Sequence, residues 1–123
     1  MSLRVLIAGG RDYADYERVF ATLDRFREKF GVALVIHGAA RGADTLADKW
    51  ATSRVLPCLR VPADWERWGS GVAGPARNAL MLQLGVPDRV LAFPGGAGTA
   101  DMVTRARAAG VEVIEIPPRK AAP

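Results

Sequence analysis

The chain predicts an α/β fold: a Rossmann-like doubly wound parallel sheet of about five strands in the order 3-2-1-4-5. Three observations carry this. Short β-branched runs alternate with longer stretches of helical period, the signature of βαβ units. The short runs are mostly apolar, as expected of strands covered on both faces. The run over residues 89–93 leads straight into Pro94-Gly95-Gly96-Ala97-Gly98-Thr99, a strand that ends in glycines where a helix begins. Right-handed crossovers then favour an order with the first and fourth strands side by side, and ligands bind in such sheets at that switch point.

The elements follow in order. A first strand over residues 3–8 comes so soon after Met1-Ser2 that no signal peptide is expected. In the first helix Val19, Phe20, Leu23, Phe26 and Phe30 recur at steps of three and four, while Arg18, Asp24, Arg25, Glu28 and Lys29 fall elsewhere; Gly31 stops it. A second strand covers 33–37, and Leu46, Ala47, Trp50 and Ala51 mark a second helix. After a third strand over 58–61, the segment 63–74 is the longest connection, bears glycines and tryptophans, and is a candidate lid. The third helix has Pro75 in its first turn, where the missing N–H costs nothing, and closes at Gly85 before Pro87. The fourth helix is expected to be capped by Thr99 and to run to about Ala109, ending at Gly110 ahead of a fifth strand over 112–116. Residues 1–117 read as one domain, and 118–123, rich in Pro and Ala, as a frayed tail.

With 123 residues, half of them apolar, the chain can build one ordinary core. Its longest apolar runs are far too short to span a bilayer, so a soluble, cytoplasmic protein is expected. The single cysteine, Cys58, excludes an intrachain disulfide framework and reads as an inert thiol. A net charge of +4 favours anionic partners, but the basic residues are scattered among acids, which suits a small phosphorylated ligand at least as well as DNA.

In a sheet of this kind every strand-to-helix turn lies on one rim. The glycines at 9, 10, 38, 42, 95, 96 and 98 allow the chain to approach an anion closely, and Arg11, Arg41 and Arg77 each fall near that rim. Asp44 and Asp101 both fall in the first turn of a helix, where the macrodipole alone would favour a carboxylate; Asp101 would face another part of the ligand, such as ribose hydroxyls. Trp65 could stack on a nucleobase; for it and Trp68 a subunit contact or an anchor for the loop is equally compatible. His37 ends the second strand and reads first as a structural, hydrogen-bonded histidine. Gly-x-Gly-x-x-Gly spacing is absent after the first strand, no Gly-Lys-Ser/Thr follows a glycine loop, and no metal-ligand cluster stands out, so no cofactor or metal is expected.

Gly9-Gly10-Arg11-Asp12, His37-Gly38-Ala39-Ala40-Arg41-Gly42-Ala43-Asp44, Gly74-Pro75-Ala76-Arg77-Asn78 and the stretch 94–102 stand in that order. In them the chain resembles the SLOG superfamily, specifically its small YspA/YpsA-related branch, over almost its whole length. The ordered set is specific; Pro-Gly-Gly-x-Gly-Thr alone is moderately so. The resemblance implies a Rossmann-like domain binding nucleotides or nucleotide-derived ligands, with the phosphate held by the second and fourth turns. That makes Gly9, Gly10, Arg11, Gly38, Ala39, Arg41, Gly42, Asp44 and Asn78 candidate binding residues, together with Pro94, Gly95, Gly96, Gly98 and Thr99.

Related LOG-type phosphoribohydrolases cleave the N-glycosidic bond of nucleoside 5′-monophosphates. Their pattern places an arginine in the helix after the third strand, matched by Arg77, and a glutamate three residues beyond the glycine-loop threonine, where this chain has Met102. Glycosidic cleavage needs a carboxylate near the ribose, and Asp101, about 100° around the helix from Met102, would have to supply it. Arg77 and Asp101 are therefore the catalytic candidates. The leading expectation is binding of a nucleotide-type ligand, with a sensor role, and without efficient hydrolysis. The alternative is a LOG-like phosphoribohydrolase. Nucleic-acid binding comes third, since no basic run is interleaved with aromatics. A homodimer through helices beside the site is also implied, with Leu80, Leu82 and Leu84 as contacts.

Overall fold

Along the first strand, β1 (Leu3–Ala8), Val5 and Ile7 are buried on one face and Leu6 and Ala8 on the other, so the strand needs a helical layer on each side. The computed structural model, which describes residues 2–119, provides both layers. The remaining elements are α1 (Tyr16–Phe30), β2 (Val32–His37), α2 (Ala43–Ser53), β3 (Cys58–Arg60), α3 (Trp65–Trp68), α4 (Ala73–Gly85), β4 (Arg89–Ala92), α5 (Ala97–Ala108) and β5 (Glu112–Glu115). All five strands are parallel, in the order β3-β2-β1-β4-β5, with Leu6 opposite both Ile36 of β2 and Val90 of β4.

One face packs Val5, Ile7, Val35 and Leu91 against Val19, Leu23 and Phe26 of α1 and Ala47, Trp50 and Ala51 of α2. The indole of Trp50 is fully buried, and its Nε1 is satisfied by donating to Asp24 Oδ1 at 2.8 Å. The other face packs Leu6, Ala8, Ile36 and Val90 against Met81 of α4 and Met102 and Ala106 of α5. At Gly85 the end of α4 comes so close to β2 that an added Cβ would lie 2.8 Å from Ile36 Cδ1. The helices change sides between α2 and α4, which puts the switch point between β1 and β4.

Several boundaries differ from the sequence-based expectation. Helix α5 starts at Ala97 with Gly96 in the cap position, so Thr99 does not cap it; Thr99 is its third residue. Asp101 consequently falls in the second turn, not the first. Helix α4 starts at Ala73, two residues ahead of Pro75, which still lies in the first turn, where no N–H is needed. The 63–74 connection contains the single-turn α3, capped by Asp64 accepting from the Arg67 N–H at 3.0 Å and ended by Gly69 at φ 74°. In the tail expected to fray, Arg119 pairs with Asp15; residues 120–123 lie outside the described residues. No helix among the described residues is long and apolar enough to cross a membrane.

Candidate functional site at the carboxyl edge of the sheet

The turn after β2 is held by side chains of its own neighbourhood. Asp44 Oδ2 accepts from the N–H groups of Gly38 at 3.0 Å and Ala40 at 3.3 Å, and His37 Nδ1 accepts from the Ala39 N–H at 2.9 Å. Ala39 takes φ 55°, a left-handed conformation that these bonds impose on a residue with a Cβ. From α4, Arg77 Nη1 donates to the Gly38 carbonyl at 2.7 Å. The amides of Gly38, Ala39 and Ala40 are thus engaged, and this turn does not offer them to an anion as the sequence suggested. Burial raises the Asp44 pKa, and the amide hydrogen bonds reverse only part of that effect.

The turn after β4 is different. Gly10 N–H donates to the Pro94 carbonyl at 2.9 Å, joining the first and fourth turns, and a Cβ on Gly95 would lie 2.7 Å from Gly10 N and overlap Thr99 Oγ1. Ala97, Gly98 and Thr99 provide the first three N–H groups of α5, and these have no partner among the described residues. No acidic residue stands in the first turn of α5, and a Cβ on Gly96 or Gly98 would meet only open space. This arrangement presents backbone donors and the positive end of a helix dipole to an open volume.

That volume is a cavity of about 460 Å³, within the range of ~300–1,000 Å³ typical of small-molecule sites. Its floor is apolar, formed by Ile7, Ala8, Met81 and Met102, none of which except Met102 the sequence singled out for the site; their period-two or helical spacing marks only core. Gly9, Gly10, Arg11, Asp44 and Trp65 line one part, and Arg77, Asn78, Gly96, Gly98, Thr99 and Asp101 the other. Burial lowers the Arg77 pKa, with Asp44 opposing and Arg11 adding to the effect, so two like charges face the cavity and the buried Asp44 partly offsets them.

Asn78, 3% exposed, ties this side together: its Oδ1 accepts from Arg77 Nε at 3.0 Å, and its Nδ2 donates to the Gly98 carbonyl at 3.2 Å and to Asp101 Oδ2 at 2.9 Å. Its hydrogen-bonding capacity is engaged in positioning neighbours, a role the spacing did not reveal. Asp101 Oδ2 also accepts from Arg105 Nε at 2.8 Å. Burial works against ionisation of Asp101, but the bonds from Asn78 and Arg105 outweigh it and hold the carboxyl below its ordinary value.

Some expected members stand apart. Arg41 is exposed and pairs with Asp12 at 3.4 Å, outside the cavity. Gly42, at φ 80°, brings the chain close to Gly10 and Arg11, where a Cβ would collide with the backbone of Arg11 at 2.6 Å; its role is the turn itself. Trp68 does not line the cavity, whereas Trp65 does and carries the Arg11 guanidinium over its ring at 4.9 Å. Leu80 and Leu84 are exposed on α4, but Leu82 packs against the core.

The fold also gathers His37, Asp48 and Cys58, a grouping that sequence spacing hid. Its hydrogen bonds oppose a metal. Because His37 Nδ1 accepts from Ala39, the ring proton sits on Nε2 and donates to Asp48 Oδ2 at 2.6 Å, leaving no lone pair there for a cation. Arg60 takes both oxygens of Asp48, and its hydrogen bonds, against the opposing effect of burial, bring the Asp48 pKa down to about 2. Burial pushes the Cys58 thiol up, away from the thiolate a metal would need.

The family model described as YspA, cpYpsA-related SLOG family matches residues 3–68. Gene 61 protein of Mycobacterium phage D29 is 41% identical over 121 residues, covering 90% of this chain and 94% of that one. The solved structure of DNA processing protein A (DprA) from Streptococcus pneumoniae superposes with a TM-score of 0.76 at 17% identity, covering 96% of this chain and 51% of that one. The chain therefore spans about half the length of DprA, and the likeness is one of fold.

Proposed function

Since the chain belongs to the YspA, cpYpsA-related SLOG family, we propose that it binds a nucleotide-derived phosphorylated ligand at the carboxyl edge of its sheet, as a sensor, and holds it without cleaving it. The observation that carries this reading is the set of unpartnered N–H groups of Ala97, Gly98 and Thr99 opening onto the cavity beside Arg77. Phosphate is the anion such a set suits: its oxygens accept several convergent amides, and Arg77 adds charge from one side.

Met102 supports retention over cleavage. It occupies the position where LOG-type enzymes carry a glutamate, is 1% exposed, and packs among Leu6, Ala8 and Val90. Asp101 lines the cavity, but one of its oxygens is engaged by Asn78 and Arg105. A cytoplasmic location, in keeping with the free thiol of Cys58, and a second copy seated on Leu80 and Leu84 of α4 belong to the same reading.

Thermal melts with AMP, ADP-ribose and NAD test it, with sulfate at equal ionic strength as control. A ligand at about 100 times its Kd adds about 2.7 kcal/mol, a rise of roughly 10 °C for a chain of this size. No rise with any of these ligands or with sulfate removes the anion site. Base release in a long incubation would favour the hydrolase. Tight binding of single-stranded DNA that weakens steeply with salt would favour a nucleic-acid partner.

A further inference from the structure

Arg11 lies over the Trp65 ring at the cavity wall. Trp65 is 43% exposed, costly for an indole outside both core clusters, and α3, which bears it, is a single turn. The Arg11 guanidinium lies 4.9 Å from the ring centroid, and no carboxylate pairs with it among the described residues. Both residues line the same cavity as Arg77 and Thr99. That cavity, at about 460 Å³, is far larger than one phosphate fills. An apolar floor of Ala8, Met81 and Met102 adjoins the polar wall.

We infer that Trp65 is the platform for a planar nucleobase and that Arg11 holds its place in the free protein. The ligand class is then a nucleotide, recognised at both ends. Its phosphate meets the start of α5, and its base takes the ring face that Arg11 covers. Arg11, displaced from the ring, turns its charge toward the phosphate, adding to Arg77. A guanidinium and a nucleobase are interchangeable on an indole because each is flat and each is attracted to the π-face. This inference rests on the phosphate reading above.

The test compares AMP with ribose 5-phosphate, which shares the phosphate and sugar but lacks the base. Calorimetric titration of the intact protein is expected to show AMP binding ~5- to 100-fold more tightly. Tryptophan fluorescence is expected to change with AMP and not with ribose 5-phosphate. In Trp65→Ala the affinity ratio falls toward one, and Trp65→Phe recovers part of it. A ratio that Trp65→Ala leaves intact, or equal affinities in the unaltered protein, overturns the base platform while leaving the phosphate site standing. Binding of neither compound fells both. A shift of Trp65→Ala from dimer to monomer in sedimentation, with the ratio preserved, assigns the ring to a contact between copies instead.

Discussion

Arg77 lies directly against Gly38: its Nη1 donates to the Gly38 carbonyl at 2.7 Å, and a Cβ at that position would stand 2.6 Å from Cζ. The guanidinium reaches the turn after β2 only because residue 38 has no side chain. Gly38→Ala is expected to displace Arg77, costing about 1–3 kcal/mol of stability and lowering AMP affinity at least ~10-fold. Urea denaturation and calorimetric titration of the same variant measure the two effects. A variant that binds as tightly as the parent would show that Arg77 takes no part.

The glycines after β4 divide into two kinds. A Cβ on Gly95 would lie 2.7 Å from Gly10 N, so Gly95→Ala is expected to lower the melting temperature. A Cβ on Gly98 would meet nothing, and leucine favours a helix over glycine by about 0.8 kcal/mol. Gly98→Leu is expected to keep or raise the melting temperature while abolishing stabilisation by AMP. Loss of folding in Gly98→Leu would contradict the open geometry.

Acid stability depends on Asp48. With its carboxyl at about 2 against an ordinary 3.8, the unfolded chain takes up the proton first as pH falls. The contribution is therefore complete above about pH 4 and is lost as pH falls through about 2. Discounted for solvent at a side chain 25% exposed, it amounts to about 1–2 kcal/mol. Asp48→Asn is expected to lose this at pH 7 and to approach the parent below pH 3, as denaturation curves at the two pH values will show.

A carboxylate placed at position 102 is expected not to confer hydrolysis. Met102→Glu buries an acid among Leu6, Ala8 and Val90, with an expected loss of about 3 kcal/mol or more. Base release from AMP is expected to stay at the uncatalysed level. Release above that level, followed by chromatography, would mean that a carboxylate on the cavity floor reaches the ribose and that the site can cleave.

Val55 offers a gain. It is 91% exposed and left-handed at φ 57°, a conformation that strains a β-branched residue. Val55→Asn is expected to stabilise by about 1 kcal/mol, read as a higher urea midpoint.

The strand order was legible in the sequence because the apolar runs alternate with stretches of helical period, and right-handed crossovers favour a doubly wound order for that alternation. The convergence of Arg11, Arg77 and the glycines at 96 and 98 on one cavity followed from it. What escaped was competition between donors and acceptors. The sequence places Asp44 and His37 beside Gly38, but not that their side chains take the amides a ligand was expected to use. Arg41 sits in an equivalent turn, yet Gly42 at φ 80° and the pairing with Asp12 leave it outside. Helix α3 is one turn long and has no period to read, and glycines at 96 and 98 concealed the true start of α5.

The strap that Asp44, His37 and Arg77 place across residues 38–40 is completed by folding and owes nothing to a guest. For the ligand proposed above, little of this lip is left to settle, so the entropy lost there is confined to a few exposed side chains such as Arg11. On the reading proposed above, binding then needs no rearrangement at this lip beyond the displacement of Arg11 from Trp65.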